Sequence, residues 1–350
     1  MNSFNLQDIV RQHILSLAPY SSARDEYTGK EGIFLDANEN PIGSATPENW
    51  NRYPDPYQWE IKEKLAPIKG CRSSQIFLGN GSDEPIDLII RLTCEPKEDN
   101  IIILPPTYGM YEVSASVNNV EIQKIPLTTD YQLDTDKIIA AINPKTKLIF
   151  ICSPNNPTGN LIDRQAILTI IENFQQGIVI IDEAYNDFSE EPSFIPELDK
   201  FPNVMVLQTF SKAWGLAALR LGMAFANEEL ISLLNKIKYP YNINGLTQKQ
   251  LIENICNVEF VKNSVKTLNQ NRADMIVELE KLSIVQKIYP SDANFLLVKF
   301  TEAKKIFDYL IEQKTIVRDR SKVILCDNSL RISIGTAKEN HHLIELLKNY

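Results

Sequence analysis

The sequence predicts an α/β protein, with a three-layer large domain on a mostly parallel sheet and a smaller α+β domain after it. Three observations carry this expectation. Short, nearly uninterrupted apolar runs such as Ile178-Val179-Ile180-Ile181 alternate with amphipathic segments, as strands covered on both faces by helices do. Loops rich in Gly, Pro and Asn follow the ends of these runs rather than interrupting them. After Leu246 the rhythm changes to apolar residues recurring at three, four and seven, and a shorter α+β stretch follows. A chain of 350 residues exceeds the usual span of one compact core. We therefore divide it into an arm at 1–30, a large domain at 31–245 and a small domain at 246–350 that begins with a long linking helix.

Taken in order, the first 30 residues read as an irregular arm with one short helix, stopped at Pro19. Two turn-rich loops follow, Asp36-Ala37-Asn38-Glu39-Asn40-Pro41 and Arg52-Tyr53-Pro54-Asp55. Ile76-Phe77-Leu78 is a strand whose Gly79-Asn80-Gly81-Ser82 turn feeds a helix over 83–95, with Ser82 or Asp83 as its N-cap. Free amides at such a helix start favour an anion. Strands are expected at 100–104, 147–152, 178–181 and 204–207, with a helix at 163–175. The periodic stretch beyond residue 246 reads as one long helix or two consecutive ones reaching about Leu282. Strands near 294–300 and 330–334 and helices at 302–313 and 338–347 complete the chain.

Composition narrows the function. At 43% hydrophobic and 23% charged residues the chain is of ordinary globular type, and its net charge of -9 argues against a general nucleic-acid binder. The first ten residues lack the basic start and apolar core of a signal peptide, and no run is long enough to span a bilayer. Five scattered cysteines without a Cys-x-x-Cys pair suggest reduced thiols and a cytoplasmic setting, with no zinc site. Only three histidines are present, and adjacent His341 and His342 would point about 100° apart on a helix, so a metal centre is not expected.

The loops at strand ends carry a chemical set. Lys212 sits in Thr209-Phe210-Ser211-Lys212-Ala213-Trp214, where bulky neighbours favour a neutral, nucleophilic amine. Asp182 closes a strand, Tyr185 follows three residues on, Asn156 lies in Asn-Pro-Thr-Gly, Tyr108 follows another strand, and Ser211 and Arg220 flank the lysine segment. Ligands of parallel α/β sheets bind at the carboxyl ends of strands, so these loops converge. A lysine, a carboxylate, hydroxyls, an aromatic face and a phosphate cup are what a pyridoxal phosphate site requires.

Through Ser153-Pro154-Asn155-Asn156-Pro157-Thr158-Gly159, Asp182-Glu183-Ala184-Tyr185 and the segment 211–222, the chain resembles the fold-type-I pyridoxal-phosphate aminotransferases of classes I and II. The loops at 36–41, 52–55, 81–84, 105–111 and 330–336 make it most similar to the histidinol-phosphate aminotransferase family, over almost its whole length. The resemblance implies an aspartate-aminotransferase-like fold, pyridoxal 5'-phosphate as cofactor, a homodimer, and transamination between glutamate and an imidazolyl phosphate ester. It implies Lys212 as the Schiff-base lysine and proton shuttle, Asp182 on the pyridine nitrogen, Asn156 and Tyr185 on the phenolate oxygen, and Tyr108 against the ring. It further implies a phosphate held by Ser82, Asp83, Ser211, Arg220 and Thr209, with Tyr53 reaching in from the neighbouring subunit. Arg318 and Arg331 would grip the substrate anions, and Tyr20 and Asn38 would complete the substrate pocket.

Trp214 and Ala218 depart from the Phe and Gly common in the family, without removing a chemical group. Asp83 and Glu84 would have to offer the phosphate their amides rather than their carboxylates. An aromatic-amino-acid aminotransferase and a phosphothreonine decarboxylase share the whole cofactor site and stay open as alternatives. A non-catalytic cofactor-binding regulator is a more remote one, because no basic helix-turn-helix pattern accompanies the site.

Overall fold

The computed structural model describes residues 4–20 and 32–350, so residues 1–3 and 21–30 of the predicted arm, and residue 31, lie outside the described residues. Leu6, Ile9, Val10 and Ile14 of the first stretch, which includes α1 (Gln12–Leu15), enter the core. Arg11 pins this stretch by donating to the Glu95 carboxylate at 2.9 Å and to the Arg91 carbonyl at 3.1 Å.

The chain then alternates helix and strand through α2 (Trp59–Lys69), β1 (Ile76–Asn80), α3 (Asp83–Thr93), β2 (Asn100–Ile103), α4 (Met110–Val117) and β3 (Glu121–Lys124). It continues through α5 (Thr135–Ala141), β4 (Thr146–Cys152), α6 (Arg164–Asn173), β5 (Ile178–Asp182), β6 (Val204–Thr209), β7 (Leu221–Ala226) and α7 (Glu228–Ile237). The seven strands form one sheet in the order β1-β7-β6-β5-β4-β2-β3. Strands β3, β2, β4, β5 and β6 pair in parallel, whereas β7 runs antiparallel to both β6 and β1.

The predicted three layers follow from strand pleating, which sends alternate side chains to opposite faces. Val179 and Ile181 of β5 join one apolar cluster with α2 and α6, while Ile178 and Ile180 join another with α3, α4 and α7. All four are fully buried, each contributing roughly 1.5–3 kcal/mol by leaving water.

The periodic segment after residue 246 is two helices, α8 (Gly245–Asn254) and α9 (Val258–Leu279). A second, antiparallel sheet of order β10-β11-β9-β8 follows, from β8 (Val285–Ile288), β9 (Phe295–Phe300), β10 (Arg318–Asp319) and β11 (Ser329–Ser333). Helices α10 (Ala303–Glu312) and α11 (Ala337–Lys348) cover it. Strands β8 and β10 escaped the sequence pattern because one is half exposed and the other only two residues long. Leu296, Val298 and Phe300 of β9 pack among themselves and the covering helices, but Phe295 and Leu297 join the large sheet's cluster. That contact seats β11, with its arginine, beside the large sheet's loops.

Candidate active site

Asp182 is the last residue of β5, flanked by Cys152 of β4 and Leu207 of β6. It is 3% exposed, and burial pushes its carboxyl upward from the usual range. Two bonds work against that shift. The Tyr111 hydroxyl donates to Oδ2 at 2.6 Å, and the Ala184 N–H donates to Oδ1 at 3.0 Å.

Strand β6 ends at Thr209, and the following loop closes on itself through Phe210 N–H to the Leu221 carbonyl and Leu216 N–H to the Phe210 carbonyl. Phe210, Ala213 and Trp214 turn into the core, the two aromatic rings meeting edge-on at 5.1 Å. Lys212 turns the other way and lines a pocket shared with Gly81, Ser82, Asp83, Tyr108 and Asp182. Its Nζ lies 5.5 Å from the centre of the Tyr185 ring. Partial burial holds the amine below its ordinary range, the nearby Arg331 charge adds to this, and Asp182 opposes it. A neutral amine open to a pocket is a carbonyl nucleophile.

The opposite wall is an anion cradle. β7 runs against its neighbours, so its N-terminal end lies at the edge where β1 and β6 finish, with Leu221 opposite Asn80 and Gly222 opposite Thr209. This reversal delivers Arg220, which sits in the left-handed region at φ 51°, and whose carbonyl accepts from the Gly81 N–H at 2.8 Å. A Cβ on Gly222 would stand 2.2 Å from both the Gly81 carbonyl carbon and the Ser82 nitrogen, so only glycine lets the loop lie this close. Ser82 stands at the N-cap position of α3, and it lines the pocket with Gly81, Asp83, Thr209 and Ser211, at a helix start whose amides lack partners within the helix.

The Asp83 side chain borders this cradle. Oδ1 accepts from the Tyr108 hydroxyl at 3.0 Å, and Oδ2 lies 3.8 Å from Arg220 Nη2. A donor and a cation within reach stabilise the carboxylate inside the pocket. Glu84 does turn away, accepting from the Asn80 N–H at 2.5 Å and from Asn242 at 3.2 Å.

Asn156 links the two sheets. Its Nδ2 donates to the Tyr185 hydroxyl at 3.5 Å, and its Oδ1 accepts from Arg331 Nη1 at 2.5 Å. The Arg331 guanidinium also lies over Phe295, 5.2 Å from the ring centre. Arg318 is directly opposite Arg331 in the β10–β11 register, so both side chains leave the same face.

Tyr20 and Asn38, expected to complete the substrate pocket, do not line this pocket within one chain. Tyr20, 72% exposed, borders a hollow with Tyr57, Trp59 and Lys62. Asn38 lines another hollow with Trp50, Tyr53 and Tyr241, where Tyr53 stacks on Tyr241 at 4.4 Å. Both lie on segments outside the sheet-edge loops, so β-strand convergence does not position them. Tyr111 and Cys152 were missed in the sequence. The signal for Tyr111 was a second tyrosine one helical turn after Tyr108, because a buried phenol needs an acceptor.

The sequence profile described as aminotransferase class I and II matches residues 27–347. The chain belongs to this family. A histidinol-phosphate aminotransferase from Cytophaga hutchinsonii is 55% identical over 348 residues, covering 99% of this chain and 100% of that protein. Among solved structures, the histidinol-phosphate aminotransferase of Clostridium acetobutylicum superposes with a TM-score of 0.79 at 24% identity, over 86% of this chain and 90% of that one. The Sinorhizobium meliloti histidinol-phosphate aminotransferase, solved with pyridoxal-5'-phosphate, gives 0.76 at 21% identity, over 89% and 90%. These likenesses establish the aspartate-aminotransferase-like fold for the aminotransferase described here. No helix among its described residues is long and apolar enough to cross a membrane, and no described group of His, Cys, Asp and Glu is arranged to hold a metal ion.

Proposed function

We propose that this aminotransferase uses pyridoxal 5'-phosphate to move an amino group between glutamate/2-oxoglutarate and histidinol phosphate/imidazole-acetol phosphate, a step of L-histidine biosynthesis, by a ping-pong mechanism. The observation that carries the chemistry is one pocket joining the Lys212 amine, the buried Asp182 carboxylate and the Gly81–Arg220 cradle. The residues fit the cofactor: the cradle offers amides, hydroxyls and a guanidinium to a phosphate, and the buried Asp182 carboxylate would serve a ring nitrogen. The substrate assignment is supported by the full-length relative at 55% identity.

Bound there, the cofactor supplies an aldehyde for the amino group and a ring that accepts the electron pair left at the substrate α-carbon. Lys212 would present its amine to that aldehyde and would carry the proton to and from the substrate α-carbon. Asp182 keeps a proton on the ring nitrogen. Asn156 and Tyr185 donate to the ring oxygen, and Tyr108 covers the ring face. Ser82, Asp83 through its amide, Thr209, Ser211 and Arg220 would hold the phosphate. Arg331 and Arg318 orient the substrate carboxylate or phosphate, a planar fork serving either anion.

A homodimer completes the site in this proposal, with Tyr53 reaching the neighbouring cofactor phosphate and Tyr20 and Asn38 closing on substrate after assembly. In support, Ile33, Leu35, Ile42, Tyr53 and Trp59 are exposed along one stretch, a pattern that marks protein contact. Five free cysteines fit a cytoplasmic enzyme.

A half-reaction screen tests the assignment by following conversion of the cofactor's visible absorption with histidinol phosphate, phenylalanine, tyrosine and phosphothreonine. Histidinol phosphate should react at least about 100-fold faster than phenylalanine, because paired arginines left without their anion penalise the neutral side chain. Comparable rates with phenylalanine, or release of carbon dioxide from phosphothreonine, would replace it with one of the alternatives.

A further inference from the structure

A carboxylate sealed inside protein tends to take up a proton unless donors compensate for the lost water. Asp182 faces that problem, and Tyr111, to which the sequence reading gave no role, meets it. The Tyr111 side chain is fully buried in the first turn of α4. Its ring stacks on Phe150 of β4 at 4.7 Å and 19°, and meets the Tyr108 ring edge-on at 5.6 Å and 83°. Held on both sides, its hydroxyl donates to Asp182 Oδ2 at 2.6 Å, while Oδ1 takes the Ala184 N–H. The proton stays on the phenol, since burial and the Asp182 charge both push Tyr111 ionisation far upward. The bond is therefore a charge-assisted donation that only the ionised carboxylate receives in full.

We infer that Tyr111 is a positioning residue that keeps Asp182 ionised and fixes the orientation of its two oxygens, thereby setting how firmly a ring nitrogen bound there holds its proton. The inference rests on the pyridoxal phosphate reading for its catalytic consequence, but its structural half concerns this chain alone. The edge contact also ties Tyr108, the ring-covering residue, to the same element.

Tyr111→Phe tests it by keeping the ring and its stacking while deleting the hydroxyl. In the apoprotein, infrared titration resolves Asp182 by difference against Asp182→Asn. Losing a donor to the charged form raises the carboxyl's pKa, so its band should convert to the protonated form at higher pH in Tyr111→Phe than in the parent. In the reconstituted enzyme, kcat should fall roughly 10- to 100-fold, the range typical of removing an outer partner of a functional group. The acid limb should move to higher pH, and KM for the amino donor should change by less than about threefold. Replacing Tyr111 with 3-fluorotyrosine, a more acidic phenol and stronger donor, should shift Asp182 the opposite way and does not depend on Tyr111→Phe folding. Unchanged Asp182 titration in these variants overturns the inference, as does lower thermal stability with an unmoved acid limb. If the parent protein takes up no pyridoxal phosphate, the cofactor reading fails, while the apoprotein titrations still decide the Tyr111 to Asp182 link.

Discussion

The two ends of the pocket are built differently. Around Lys212 and Asp182, every group comes from loops at one edge of one sheet, and each is held by backbone: Asp182 by β5, the lysine loop by Phe210 and Leu216, and the cradle by Gly81 against Gly222. Around Arg331 and Arg318, the groups come from a second sheet that touches the first through Phe295, Leu297 and the bond from Arg331 to Asn156. Tyr20, Asn38 and Tyr53, assigned to substrate or to a neighbouring site, lie elsewhere on the chain. The groups lining the cofactor end within the chain are thus placed by one sheet. The Arg331 end depends on how separate pieces meet.

The largest expected effect tests the cofactor end. Lys212→Ala removes both the nucleophile and the proton carrier, so single-turnover transamination should fall at least about 10³-fold. Borohydride reduction should fix the cofactor on Lys212 in the parent, and labelling at another lysine would dissolve the contrast between the two ends.

An intermediate effect measures how far the ends are coupled. Arg331→Gln should lower kcat/KM for the anionic substrate roughly 10- to 100-fold, the worth of a charge-assisted bond. It should also move the Lys212 titration. The Arg331 charge disfavours the ammonium, so removing it lets the amine hold its proton to higher pH. Activity that needs the neutral amine should then be lost at a higher pH as the solution is acidified. A spectrally monitored pH titration that does not move would mean the two ends are electrostatically independent.

The smallest effect concerns assembly. Tyr53→Phe should speed cofactor loss by about three- to tenfold, as expected for one hydroxyl bond, without changing the fold. An active monomer, or unchanged cofactor retention in the variant, would return the whole site to one chain.

Legibility in the sequence followed the same division. The β5 run and its terminal Asp182 could be read directly, because four consecutive buried β-branched residues leave few other structures available. The lysine loop was readable for a related reason, since apolar neighbours flank a single amine. Strand β7 was not anticipated, although it places Arg220, because Leu221-Gly222-Met223-Ala224-Phe225-Ala226 carries no turn signal to mark its reversal. The partners of the Asp83 carboxylate, Tyr108 and Arg220, were not legible because both come from other loops.

By itself, then, the sequence determined the layered α/β architecture and the strand-end loops, Lys212's among them, that line the pocket, since apolar periodicity and strand-end loops are local properties of the chain. Tertiary structure alone decided that β7 runs backwards to supply Arg220, that Tyr111 reaches Asp182 across 71 residues, and that Arg331 crosses between sheets to Asn156. These are contacts between residues far apart in sequence, and they form only when buried polar groups must find partners in a packed interior.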